Sequence, residues 1–157
     1  MLVLVFSSCG TGNKIYIVRH AERSIEPLHD PHITAGGKQR AETLKNILKD
    51  KNIGYIFSTQ TNRTIETATP LSNANNISIR VYKNDTLSNF LQMLIHLKKN
   101  ILVVGHSNTL LPMLDGLHLS HTIKNIPDSS YDNMFIVKVK NNKAIRLTES
   151  TYGTSLF

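Results

Sequence analysis

The chain has 157 residues, which suits one domain with a core of ordinary size. At 40% hydrophobic and 18% charged it reads as globular and not as a disordered chain. A net charge of +7 favours anionic partners, while the lack of tryptophan and an aromatic content of 6% speak against a stacking platform for single-stranded nucleic acid. A basic surface that only aids solubility accounts for the same charge.

The chain opens "MLVLVFSSCGTGNK", six apolar residues and two serines ahead of Cys9. A single cysteine excludes an internal disulfide framework and a cysteine-cage metal site. The order of residues resembles a bacterial lipoprotein signal, in which the cysteine after a short apolar segment is lipidated. The charged region that normally precedes such a segment is missing. Two readings stay open: a start upstream of Met1, or an apolar N-terminal segment of no special purpose. The first makes residues 1–13 a signal and spacer, with a domain over 14–157 tethered to a membrane through Cys9 outside the cytoplasm. The second leaves the protein cytoplasmic. No other segment approaches the ~20 apolar residues that span a bilayer.

From residue 14 short β-type runs alternate with longer helical ones. "KIYIV" (14–18) is a β-branched strand suited to burial on both faces. Residues 34–51 form a helix capped by Thr34, with Ala41, Leu44, Ile47 and Leu48 in one apolar stripe. "YIFST" (55–59) is a second strand, and 61–73 a helix that ends or bends near Pro70. A third strand (77–82) precedes an amphipathic helix (86–99). "NILVVGH" (100–106) is the most hydrophobic strand and leads directly into a helix over 107–119. Two late strands, 134–140 and 144–150, are joined by the turn-rich "NNK", and Met93, Met113 and Met134 sit at core-like positions. The alternation predicts a single-domain three-layer α/β/α sandwich, a mostly parallel sheet with helices on both faces. In such folds reactive groups gather past the carboxyl ends of the strands.

Three predicted strands end in a related way. The first delivers Arg19 and His20, the second Ser58 and then Arg63, and the fourth Gly105, His106 and Ser107. Arginine offers a permanently charged planar fork matched to phosphate oxygens. A helix N-terminus adds backbone N–H groups and a positive dipole end. Histidine supplies a nitrogen nucleophile that titrates near neutrality. Singly each feature is weak; jointly they describe a site for a phosphoryl group.

Four stretches carry a resemblance in the same order. They are "VRHAE" (18–22), "ITAGGKQRAETL" (33–44), "STQTNRTIETA" (58–68) and "LVVGHSNTLLPML" (102–114). Together they resemble the histidine phosphatase (phosphoglycerate mutase-like) superfamily, over residues ~14–140, each short motif by itself being only a hypothesis. The resemblance implies that His20 is the nucleophile and becomes phosphohistidine. It implies that Arg19 and Arg63 clamp the phosphate and that His106 donates to the same group, with no metal or other cofactor. Ser58 is a further candidate for binding the phosphate, although a local turn explains it as well. The expected partner is a phosphorylated small molecule or a phosphoprotein, with no nucleic acid. Mutase activity does not fit a chain this short, whereas the small phosphohistidine phosphatases do. The rival reading is a non-catalytic phosphate- or phosphoprotein-binding domain with the same pocket. Oligomeric state is not legible.

A general acid must protonate an ester leaving group. Asp85, in "VYKNDTLSNF", is the candidate after the third strand, and a helix-start role explains it equally well. Glu22 and Glu66 fit better as ion-pair partners orienting Arg19 or Arg63. Without an acid the enzyme would favour good leaving groups such as phosphohistidine. His118 and His121 have metal-like spacing but no supporting carboxylate cluster, so a packing or surface role is the expectation. His29 and His32 belong to a loop, 24–33, placed to overhang the pocket.

Overall fold

The computed structural model describes residues 12–153, so Cys9 and the tether reading attached to it lie outside the described residues. In chain order the elements are β1 (Asn13–Arg19), α1 (Ala35–Leu48), β2 (Ile53–Ser58), α2 (Asn62–Asn75) and β3 (Ile79–Val81). After a 3₁₀ turn at Asn84–Thr86 come α3 (Leu87–His96), β4 (Asn100–Gly105), α4 (Ser107–Gly116), β5 (Asn133–Lys140) and β6 (Lys143–Thr151). The strands form one sheet in the order β3-β2-β4-β1-β5-β6. β3, β2, β4 and β1 are mutually parallel, and β5 runs against its neighbours β1 and β6.

Both sheet faces are covered, which is why the parallel strands read as continuous apolar runs. Leu44 and Leu48 of α1 and Ala68 and Leu71 of α2 pack with Val18, Ile56 and Leu102 on one face. Leu91 and Leu94 of α3 and Leu110, Met113 and Leu114 of α4 pack with Ile17, Phe57 and Val103 on the other. Each such buried side chain contributes about 1.5–3 kcal/mol relative to exposure.

Several local expectations change. Thr34 does cap α1, its hydroxyl accepting from the Gly37 N–H at 3.1 Å, but Ile47 falls off the buried stripe and is exposed. α2 does not end at Pro70. Ala68 and Leu71 are buried on either side of it, and that burial outweighs one missing helical hydrogen bond. The helix instead stops where Asn76 turns left-handed, at φ 52°. α3 stops at His96, before the two lysines, and Met93 on its outer side is exposed, unlike the buried Met113 and Met134. Asn141 and Asn142, at φ 52° and 57°, form the tight turn that "NNK" predicts between β5 and β6.

β1 and β4 are neighbours, yet the helices that follow them lie on opposite faces of the sheet. The chain therefore parts at their carboxyl ends, leaving a crevice there.

Candidate active site

The crevice is built from one register. Arg19 of β1 stands opposite Gly105 of β4, and the His20 N–H donates to the Gly105 carbonyl at 2.9 Å. A Cβ on Gly105 would come within 2.9 Å of both the Tyr82 hydroxyl and Thr109 Oγ1, so the strand end has room only for glycine. His20 and His106 leave the sheet side by side, their rings meeting edge to face with centroids 5.4 Å apart.

His20 is only 3% exposed, and its Nδ1 lies 2.8 Å from the Ala21 carbonyl. That oxygen can only accept, so Nδ1 carries the proton and Nε2 keeps its lone pair. Burial pushes the His20 ring down to about 3; the Ala21 bond opposes the shift, and Arg19, His106 and Arg63 reinforce it. His106 is pushed down to about 4, first by burial and then by Arg63 and Arg19. Its Nε2 sits 2.8 Å from Thr59 Oγ1, which in turn meets Thr64 Oγ1 at 3.0 Å.

Arg19 is buried and held from behind. Its Nη1 donates to the carbonyls of Pro127, Asp128 and Ser130 at 2.9, 3.0 and 2.7 Å, and its guanidinium lies 4.2 Å from the centre of the Tyr131 ring. Nη2 is 3.5 Å from the Asp128 carboxylate. Arg63 lies 3.6 Å from the Asp30 carboxylate. The Nε atoms of Arg19 and Arg63 are buried without a hydrogen-bond partner. Burial lowers the affinity of both guanidinium groups for their protons, and Arg23 adds positive field to each. Buried cations with unpaired donors are costly, and an anion removes that cost.

The threonines of the 58–68 stretch wire this frame together. The Ala21 N–H donates to Thr67 Oγ1 at 2.9 Å, and Thr67 donates to the Arg63 carbonyl at 2.7 Å, linking the His20 segment to the start of α2. Thr64 donates to the Thr59 carbonyl at 2.9 Å. Loop 24–33 is pinned to α2 as well: Asp30 accepts from the Asn62 N–H at 2.9 Å, and Glu66 accepts from the Ile33 N–H at 2.8 Å and pairs with His32.

The result is a cavity of about 390 Å³ into which Arg19, His20, Arg63 and His106 all converge. Two further sequence candidates do not reach it. Ser58 is fully buried, and its hydroxyl is taken by the Thr59 carbonyl at 2.8 Å. Asp85 is exposed in the 3₁₀ turn, where Asn84 faces the cavity instead. The carboxylates assigned to orient the clamp have other partners: Glu22 binds Arg40 in a two-pronged pair at 2.7–3.0 Å, and Glu66 holds the loop. His29, Ser107 and Asn108 line the cavity, joined by Arg23 and Asp128, which sequence reasoning missed. His121, away from the site, bonds the Ile123 carbonyl and Asp115.

The sequence model of the Histidine phosphatase superfamily (branch 1) matches residues 15–90, which include Arg19, His20 and Arg63. That segment, a little under half of the chain, carries the sequence pattern of the superfamily. His106, beyond the matched segment, is brought beside His20 by the β1–β4 register. No curated protein sequence matches the chain. Among solved structures, the chain resembles the protein histidine phosphatase SixA complexed with tungstate at 17% identity and a TM-score of 0.67, covering 88% of this chain and 95% of that one. The putative phosphohistidine phosphatase SixA from Agrobacterium tumefaciens gives 16% and 0.62, covering 87% and 97%. Phosphoserine phosphatase from Entamoeba histolytica gives 15% and 0.64, covering 90% and 98%. At such identities the likeness is one of fold, the phosphoglycerate mutase-like α/β sandwich. The family match supports phosphatase activity as a general class.

Proposed function

We propose that the protein hydrolyses phosphorylated substrates through a phosphohistidine on His20, without a metal. The observation that carries this reading is the bare Nε2 of a buried, oriented His20 beside the unpartnered Nε atoms of Arg19 and Arg63. The Nε2 lone pair attacks phosphorus as the bond to the leaving group breaks. The proton stays on Nδ1, where its hydrogen bond to the Ala21 carbonyl stabilises the cationic phosphorylated ring. Water then attacks the same phosphorus, the N–P bond breaks, and Nε2 regains its lone pair. Arg19 and Arg63 neutralise the equatorial oxygens and His106 donates a hydrogen bond to them, a contribution of roughly 10²–10³ in rate for each well-placed donor. Ser107 and Asn108, at the start of α4, line the same cavity.

The finer substrate reading follows from the carboxylates. Asp85 points to solvent, Asp30 faces Arg63, and Asp128 accepts from Ser107 at 3.3 Å beside Arg19. Asp30 and Asp128 are held as partners of the two arginines, and Asp85 stands outside the cavity. The site therefore suits leaving groups that depart with little protonation, phosphohistidine foremost, over alkyl monoesters. In this reading Cys9 carries a lipid that tethers the domain to a membrane.

The test is turnover of p-nitrophenyl phosphate without divalent metal, with trapping of an acid-labile, alkali-stable phosphoenzyme. Phosphohistidine should turn over faster than an alkyl phosphate. A His20→Ala protein with full activity overturns the mechanism. Phosphate binding with no turnover of any ester or phosphoramidate makes the protein a binding domain. Incorporation of labelled fatty acid that persists in Cys9→Ala refutes the tether.

A further inference from the structure

The end of the sheet remote from His20 concentrates positive charge. Lys14 of β1 stands directly opposite Lys138 of β5, and Lys138 opposite Arg146 of β6, so three cations form a row across three strands. Lys140 and Lys143 form a second opposed pair at the hairpin end. All five are exposed, and none ion-pairs with a carboxylate among the described residues. Lys98 joins them by donating to Asn142 in the turn of the same hairpin. Like charges placed directly opposite in a ladder destabilise a sheet, so the row is unfavourable in the free protein. An anionic surface laid against it reverses the sign of that interaction.

Gly12, the first described residue, lines a cleft with Lys98 and Lys140, and the sequence ahead of it opens with the six apolar residues Met1–Phe6 followed by five small or polar ones. An apolar run in the sequence shortly before a lysine-rich surface matches the chemistry of an anionic bilayer, whose interface takes apolar side chains and whose headgroups take cations. A nucleic acid would use the charge but not the apolar segment.

We propose that this face docks on an anionic phospholipid bilayer and turns the catalytic cavity away from it. β1 runs from Lys14 at the docking end to Arg19 at the cavity, and six residues of strand span roughly 20 Å. That exceeds the Debye length of about 8 Å at physiological salt, so lipid phosphates do not mask the arginines of the cavity. The inference stands independently of the phosphatase reading and of acylation.

The experiment uses the full chain carrying Cys9→Ala, which removes any acyl contribution. It is sedimented with vesicles of phosphatidylcholine, or of one part phosphatidylglycerol to two parts phosphatidylcholine. Binding to the anionic vesicles alone is expected, with loss of binding as salt rises toward about 0.5 M. The Lys138→Glu/Lys140→Glu/Lys143→Glu variant should partition at least ~100-fold more weakly. Its circular dichroism and its turnover of p-nitrophenyl phosphate should match the parent. Lys138→Glu alone should raise Tm by about 2–4 °C, because it turns two repulsive pairs into attractive ones, while weakening vesicle binding. Equal partition to neutral and anionic vesicles, or an undiminished triple variant, overturns the proposal. Tighter binding to duplex DNA than to anionic vesicles assigns the face to nucleic acid and overturns it as well.

Discussion

His20 and His106 meet edge to face, 5.4 Å apart, one step beyond the pair Arg19–Gly105 that closes the β1–β4 ladder. With His20 and Arg19 buried and His106 and Arg63 half-buried beside them, the four groups cannot all be cationic without an anion among them. The free cavity therefore keeps its rings neutral and its arginines charged, a state poised for a phosphate dianion.

Acid should destabilise the free protein over a defined window. The folded rings titrate at about 3 and about 4, against about 6.5 in the unfolded chain. As pH falls below 6.5 the unfolded chain takes up protons that the folded one refuses. The stabilising difference is thus whole above 6.5 and is lost progressively down to about 3. Tm measured from pH 7 to pH 4 should fall, and inorganic phosphate should reduce the fall because a bound dianion favours protonated rings. The kcat/KM profile should show no break near 6.5, since neutral His20 persists well below it.

Tyr131 is a positioning residue for Arg19, its ring 4.2 Å from the guanidinium and its centroid 5.9 Å from that of His20. Tyr131→Ala should lower kcat/KM about tenfold through loss of the stacked face. Tyr131→Phe should restore the rate, because the ring and not the hydroxyl does the holding. Equal defects in both variants would remove the stacking argument.

Glu22 supports the fold from beneath the cavity. It forms a two-pronged pair with Arg40, whose Nη1 also donates to the Tyr152 carbonyl at 2.7 Å. Arg40 is buried, so Glu22→Ala removes the two-pronged carboxylate from a desolvated cation, at a cost of about 3 kcal/mol. Thermal unfolding should show Tm lower by about 6–12 °C, and Glu22→Gln should lose less.

Asp85→Asn should leave hydrolysis of an alkyl phosphate within about twofold of the parent, as fits a side chain outside proton-transfer reach. A large loss would return Asp85 to the chemistry.

What could be read from the sequence was the part carried by side-chain type. Arg19, His20, Arg63 and His106 are legible because phosphate chemistry needs those groups and strand ends bring them together. Arg19's restraint was not, because carbonyls of Pro127, Asp128 and Ser130 provide it, and any residue has a carbonyl. Ser58 and Thr59 exchanged roles for a different reason. At a strand end one step in sequence changes which side chain faces the rim, and Thr59 has the reach to His106. Asn84 and Asp85 differ in the same way within a single turn. Thr64 and Thr67 stood in the 58–68 motif, yet only their partners reveal them as frame and not chemistry.

The strand order has a consequence for assembly. β1 and β2 do not touch each other in the sheet; β4 lies between them and pairs with both. A ribosome that has released only the first 99 residues has therefore made the His20 strand with neither of its sheet neighbours. The His20 strand gains its inner neighbour only when residues 100–105 insert, and its outer one with β5. Closure of the cavity is thus a late, long-range event, and the topology favours slow folding over stepwise accretion from the N-terminus.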